Sequence, residues 1–153
     1  MSFERIVGLE PAVRLLRAQL AQGRLAHTYL FAGPDGIGKR TLALELAKAL
    51  NCEKTEACDG CDPCRRIGEG VHPDVMTLLP EESGQMGIDR VRALEGMLSL
   101  TPHSGRWKVG IVDQAESLTE EGMHGCLKLP EEPPPRSVVL LISSSAYRLY
   151  STV

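Results

Sequence analysis

The run Gly33-Pro34-Asp35-Gly36-Ile37-Gly38-Lys39-Arg40 concentrates groups that can handle phosphate. Gly33, Gly38 and Lys39 hold every defining place of a phosphate-binding loop except the last. Glycines, Gly36 among them, let successive backbone N–H groups turn inward as an anion nest. A helix starting near Lys39 adds the positive end of its dipole, and the lysine ammonium reaches the outer phosphates. The last place normally offers a hydroxyl to magnesium; Arg40 offers a cation, which cannot coordinate another. Thr41 stands one residue later, about 100° further round a helix, so it reaches the metal side only if the first turn is irregular.

A second set of groups should lie at a strand end, an Asp for magnesium and then a Glu that activates water. The chain has Asp113-Gln114 there. An amide can hydrogen-bond but cannot act as a general base, and Glu116, two residues on, is expected to face elsewhere. Asp113 as a mere cap for the helix that follows is the weaker reading, weakened further by the glycine loop. Gly33, Gly36, Gly38, Lys39, Thr41 and Asp113 are thus the expected nucleotide site, either vacant or holding nucleotide passively. ATP with Mg2+ as a hydrolysed substrate is disfavoured.

Cys52, Cys58, Cys61 and Cys64 place four thiols in a short stretch, with Gly60 and Pro63 shaping the turns between them. This spacing suits a tetrahedral, structural Zn2+ site with all four ligands from protein. A ferredoxin-type cluster would want a further Cys where Gly68 stands. His72 competes for the fourth place, and Cys126 reads as a small buried apolar residue. Residues 51–70 lack apolar periodicity, so metal is expected to supply their order.

The elements that must position these groups are legible as periodicities. Leu9, Val13, Leu16 and Leu20 form a helical stripe after which Gly23 is a stop; Thr28–Ala32 is a short strand before the glycine loop, and Thr41–Leu50 a helix after it. Asp74–Leu79 reads as a strand, Ile88, Val91, Leu94 and Leu98 as a helical stripe, and Val109–Asp113 as a buried strand. Ser117-Leu118-Thr119-Glu120 predicts a capping box for a helix weakened by Gly122 and Gly125, and Ser137–Ile142 is a last strand. Alternating strands and helices imply a parallel α/β sheet. At 153 residues, 42% of them apolar, one domain is expected. A net charge of -3 without a basic run argues against autonomous nucleic-acid binding. No run approaches a membrane span, so a cytoplasmic location with no membrane partner is expected.

Several of these residues together carry a family resemblance. His27-Thr28-Tyr29-Leu30-Phe31-Ala32-Gly33-Pro34, Asn51-Cys52, His72-Pro73-Asp74-Val75, and Leu127-Lys128 followed by Glu131-Glu132-Pro133-Pro134 resemble bacterial DNA polymerase III clamp-loader subunits over nearly the whole chain. The loop and the strand acid are most similar to the delta-prime branch, which often carries an impaired nucleotide site. The gamma/tau branch keeps Lys-Thr or Lys-Ser and an Asp-Glu pair. The resemblance implies a P-loop AAA+ nucleotide-binding-type α/β domain over residues 1–153 with a small zinc insert at about 51–70. It places the lid, the collar domain and a Ser-Arg-Cys arginine finger beyond Val153, as in an N-terminal fragment. It also implies gamma/tau and delta subunits as partners, with the sliding clamp and primer-template DNA met through the complex.

The role it implies is that of a noncatalytic, stator-like subunit helping ATP-driven loading of the clamp in replication. DNA polymerase activity would belong only to the holoenzyme. Ser144, with Ser143 second, matches the polar residue that senses the γ-phosphate. Leu129-Pro130 departs from the family's usual Thr-Leu before Glu131-Glu132, and with the two glycines predicts a helix that frays or ends early. Two alternatives stand beside this reading. One is an active gamma/tau-type ATPase in which Thr41 and Glu116 take the missing roles. The other is a nucleic-acid-binding zinc module, against which Glu53, Glu56, Asp59 and Asp62 around Arg65 and Arg66 argue.

Overall fold

The computed structural model describes residues 10–54, 57–103, 106–127 and 135–144. The elements run α1 (Glu10–Gln22), β1 (Thr28–Ala32), α2 (Lys39–Asn51), α3 (Asp62–Glu69), β2 (Val75–Leu78), α4 (Ile88–Leu98), β3 (Lys108–Val112), α5 (Glu120–Leu127) and β4 (Ser137–Ser143), with a 3-10 turn at Ala115–Ser117. All strand pairs are parallel, in the order β1-β4-β3-β2. The central strands β3 and β4 are buried at every position. The unbroken Val138–Ile142 run of β4, and Val109, Ile111 and Val112 of β3, are what strands covered on both faces require.

Alternation along β4 sorts the core into two layers. Val138, Leu140 and Ile142 face α1 and α2, together with Leu16, Leu42 and Leu46. Val139 and Leu141 face α4 and α5, against Leu94, Leu98 and Met123. Because every strand points the same way, the chain leaves β1, β3 and β4 at one edge of the sheet. The phosphate loop, Asp113 and Ser144 all collect at that edge, the usual ligand side of an open parallel sheet.

Three local expectations change. Residues 51–70 contain a helix, α3, which opens with Pro63 in its first turn and ends at Gly70 in the left-handed conformation; with only eight residues its period was too short to read. The capping residue of α5 is Thr119 rather than Ser117, since Thr119 Oγ1 accepts the Gly122 N–H at 3.1 Å while Ser117 closes the 3-10 turn. Gly122 and Gly125 lie inside α5 for a packing reason. A Cβ on Gly125 would sit 3.0 Å from Ile88 Cδ1 and 3.1 Å from Val91 Cγ1, so the glycine lets α5 approach α4 closely. Leu129-Pro130 and Glu131–Pro134 lie outside the described residues. Replacing Thr119 by Ala is expected to cost about 1 kcal/mol, read from the denaturant midpoint at unchanged slope.

Candidate functional site

The loop between β1 and α2 is shaped by glycines in conformations that other residues avoid. Gly36 has φ 86° and Gly38 φ 94°, and Gly38 stands directly before the first turn of α2. Lys39 is buried, and its ammonium donates to the carbonyl of Gly33 and, at 2.8 Å, to that of Ser143. The Gly33 N–H reaches the same Ser143 carbonyl at 3.2 Å. Loop and β4 end are therefore tied together by the lysine that would otherwise meet phosphate.

One residue on, the Arg40 guanidinium lies 3.5 Å from Asp113 Oδ2. Arg40 is largely exposed and Asp113 largely covered, so an arginine cation stands where this carboxylate would meet magnesium. Gln114 is exposed and takes a left-handed conformation, φ 53° and ψ 55°. That kink sends the chain into the 3-10 turn and brings Glu116 back over the strand ends. Glu116 Oε1 accepts from Ser144 Oγ at 3.1 Å. Burial works against its charge, but its own N–H and the hydroxyls of Ser143 and Ser144 hold the carboxyl below its usual range.

The second site is built at the far end of α2. The sulfurs of Cys52, Cys58, Cys61 and Cys64 all lie within 4.8 Å of one another. Cys52 and Cys61 are 3.8 Å apart, the edge of a tetrahedron whose metal–sulfur bonds are about 2.3 Å. Backbone N–H groups of Gly60 and Cys61 pull the Cys58 thiol down to about 6. Burial pushes Cys64 up to about 12 and raises Cys52. Such a donor set carries one ready thiolate and two thiols that need a cation's charge to ionise, so the residues fit a bound metal ion.

The insert is also pinned by polar contacts. Lys48 Nζ reaches Glu45 at 3.3 Å and Asp59 at 2.9 Å. Burial lowers the Lys48 pKa, but those two carboxylates outweigh it and the net shift is upward. Asn51 Oδ1 accepts the Arg106 and Trp107 N–H groups at 2.8 and 2.9 Å, and Arg106 also donates to the Cys52 carbonyl.

A family model described as "DNA polymerase III, delta subunit" matches residues 8–153. The chain belongs to the clamp-loader family of DNA polymerase III subunits. This clamp-loader chain is 39% identical to the delta-prime subunit of Pseudomonas aeruginosa over 84% of its length and 40% of the relative's. It is 33% identical to the Bacillus subtilis delta-prime subunit over its whole length and 47% of the relative's. The tau subunit of Bacillus subtilis is 32% identical over 99% of the chain and 27% of the relative. The chain thus spans less than half the length of these curated relatives. A crystal structure of a DNA polymerase III gamma subunit-related protein from Thermotoga maritima shares the fold, with a TM-score of 0.64 and 24% identity over 90% of this chain and 43% of that one.

Most of the expected site residues of this clamp-loader chain converge. Gly33, Gly36, Gly38 and Lys39 form the loop, Asp113 meets Arg40, and Ser144 stands at the strand edge. Thr41 lies exposed on the first turn of α2. The cysteines group without His72, in line with the four-cysteine expectation; the His72 Nδ1 accepts the Asp74 N–H at 3.1 Å. One expectation is corrected. Glu116 does not face away from the strand ends but is held against Ser144. Its return depends on a left-handed glutamine, a conformation that residue type does not announce. Cys126 is buried among the apolar residues between α4, α5 and the sheet, as expected. Among the described residues no helix is long and apolar enough to cross a membrane.

Proposed function

We propose that this chain is a noncatalytic, stator-like subunit of the clamp loader, of delta-prime type, helping ATP-driven loading of the sliding clamp while hydrolysis occurs on gamma/tau neighbours. The observation that carries this reading is the Arg40–Asp113 ion pair. A guanidinium neutralises the acid that would hold magnesium, and the residue after that acid is an exposed amide. Gly33, Gly36, Gly38 and Lys39 then act as a structural nest that accepts nucleotide passively, with Ser144 toward the outer phosphate. Delta subunits complete the proposed assembly, primed DNA is met through it, and the site of action is the cytoplasm. Residues 1–153 form its AAA+ domain in this reading, and the cysteine cluster holds structural zinc.

The gamma/tau-type motor keeps one supporting observation, the Glu116 carboxylate fixed beside Ser144. Turnover decides between them. With ATP and magnesium, the protein is expected to show no hydrolysis above background, and Lys39→Ala to change nothing. Hydrolysis at rates of a competent ATPase, abolished by Lys39→Ala, would establish the motor reading instead.

A further inference from the structure

Two cations stand at the edge where the strands end, each tied to a different strand. The Lys39 ammonium, on a residue only 6% exposed, donates to the carbonyls of Gly33 and Ser143, the latter at 2.8 Å and at the end of β4. The Arg40 guanidinium lies 3.5 Å from Asp113 Oδ2, one residue past the end of β3. These two strands are paired in parallel, with Val112 beside Leu141, and neighbouring strands lie about 4.8 Å apart. Both cations are thereby held over one short stretch of the sheet edge, beside the loop that Gly36 and Gly38 turn with positive φ.

Each cation keeps capacity for a further acceptor. An ammonium has three donors, and the two carbonyls take two of them. A guanidinium carries five N–H groups in a planar fork that matches phosphate oxygens two at a time. Asp113 meets that fork at NH1, and the Arg40 side chain is 56% exposed, so its outer face is open to a ligand. The Asp35 carboxylate lies 3.9 Å from the Lys39 ammonium, but its side chain is 93% exposed and is not fixed over the loop. Magnesium brought to Asp113 would instead stand against a guanidinium, two cations on one carboxylate.

We propose that Arg40 takes the place of magnesium, so that this site binds a nucleoside triphosphate as the free polyphosphate and rejects its magnesium complex. The inference rests on the passive-nucleotide reading given above and adds the ionic form of the ligand. Lys39 and the loop N–H groups hold one part of the phosphate chain. Arg40, oriented by Asp113, holds the part that a metal ion would otherwise bridge. No bond of the ligand is made or broken.

The test is calorimetric titration of the whole protein with ATP, in buffer without chelator, first free of added magnesium and then with magnesium in excess. Free ATP is expected to bind saturably, and magnesium to weaken it about tenfold or more. Arg40→Thr, which supplies a hydroxyl and releases Asp113, is expected to invert that sign, with magnesium now strengthening binding. Arg40→Gln, which removes the cation and adds no metal ligand, should weaken free ATP about tenfold with no gain from magnesium. Lys39→Ala should lose binding in both buffers, and thermal midpoints check that each variant is folded. Tighter binding with magnesium in the unaltered protein, an unchanged affinity for free ATP in Arg40→Gln, or binding that survives Lys39→Ala would each overturn the proposal. Absence of saturable ATP binding would overturn it and leave the stator reading standing, whereas hydrolysis of the magnesium complex would overturn both.

Discussion

With the proposed zinc in the four-cysteine cluster, Cys64→Ser is expected to lose that metal and to destabilise the protein by about 4 kcal/mol or more, the range reached by few mechanisms other than loss of a metal, a disulfide or a core. Cys64 is 1% exposed and Cys52 is fully buried, so the cluster cannot be patched by water at those corners. The sparse apolar content of the insert makes the consequence large. Its own core amounts to Cys52, Ala57 and Cys64 with two half-buried cysteines against them, and such a core does not repay the ordering of its backbone. Metal analysis should fall from about one equivalent to well below it, with a matching fall in thermal midpoint. Chelator should reproduce the wild-type loss. Cys126→Ser is the control, since that thiol is buried outside the cluster and its loss should leave metal content unchanged.

The same site gives a pH dependence whose sign follows from its thiols. With Cys64 pushed up to about 12 and Cys52 raised by burial, both are thiols at neutral pH unless a cation is present. Metal binding must therefore release protons, and affinity falls as pH is lowered. Cys58, drawn down to about 6 by backbone N–H groups, is already largely ionised at pH 7 and adds a proton to the balance only below that value. Titrating metal affinity from pH 8 to pH 5 should show a continuous weakening.

Lys108→Met is expected to cost about 3–5 kcal/mol, because it removes the cation that offsets the charge of a buried carboxylate. Lys108 Nζ stands 2.7 Å from Asp74 Oδ1, with the two side chains 5% and 0% exposed. Asp74 also accepts the His103 N–H at 2.6 Å, and its carbonyl takes the Val109 N–H at 2.8 Å, so it joins β2, β3 and the segment before β3 at one point. A methionine fills the lysine's volume but brings no charge. Denaturant unfolding measures the loss, and the double variant with Asp74→Asn should recover part of it, since a neutral amide costs less to bury than a carboxylate. A double variant no more stable than Lys108→Met would show that the pair's charge is not what holds these elements.

Sequence periodicity carried most of the fold, for reasons visible in the two central strands. β3 and β4 are buried on both faces, so nearly every position had to be apolar and the runs stood out. Of the edge strands, β1 spans Thr28–Ala32 as expected, whereas β2 spans Val75–Leu78 instead of Asp74–Leu79. The loop and the cysteine spacing were equally plain, because short-range geometry determines both: a nest needs glycines at fixed offsets, and a four-thiol site needs close cysteines.

What the sequence by itself determined is which groups stand at the two candidate sites. By residue type alone Arg40 cannot ligate magnesium and Gln114 cannot act as a general base, and the four cysteines make a metal-ligand set. Only the tertiary structure decided that the misplaced cation is not idle. Arg40 and Asp113 lie on different elements, far apart in the chain, and their pairing exists because parallel strands deliver α2 and the end of β3 to one edge. The return of Glu116 to Ser144 and the bond from the Asp74 N–H to the His72 ring were decided in the same way. Each depends on a backbone turn or a packing partner set by long-range contacts, which no local spacing encodes.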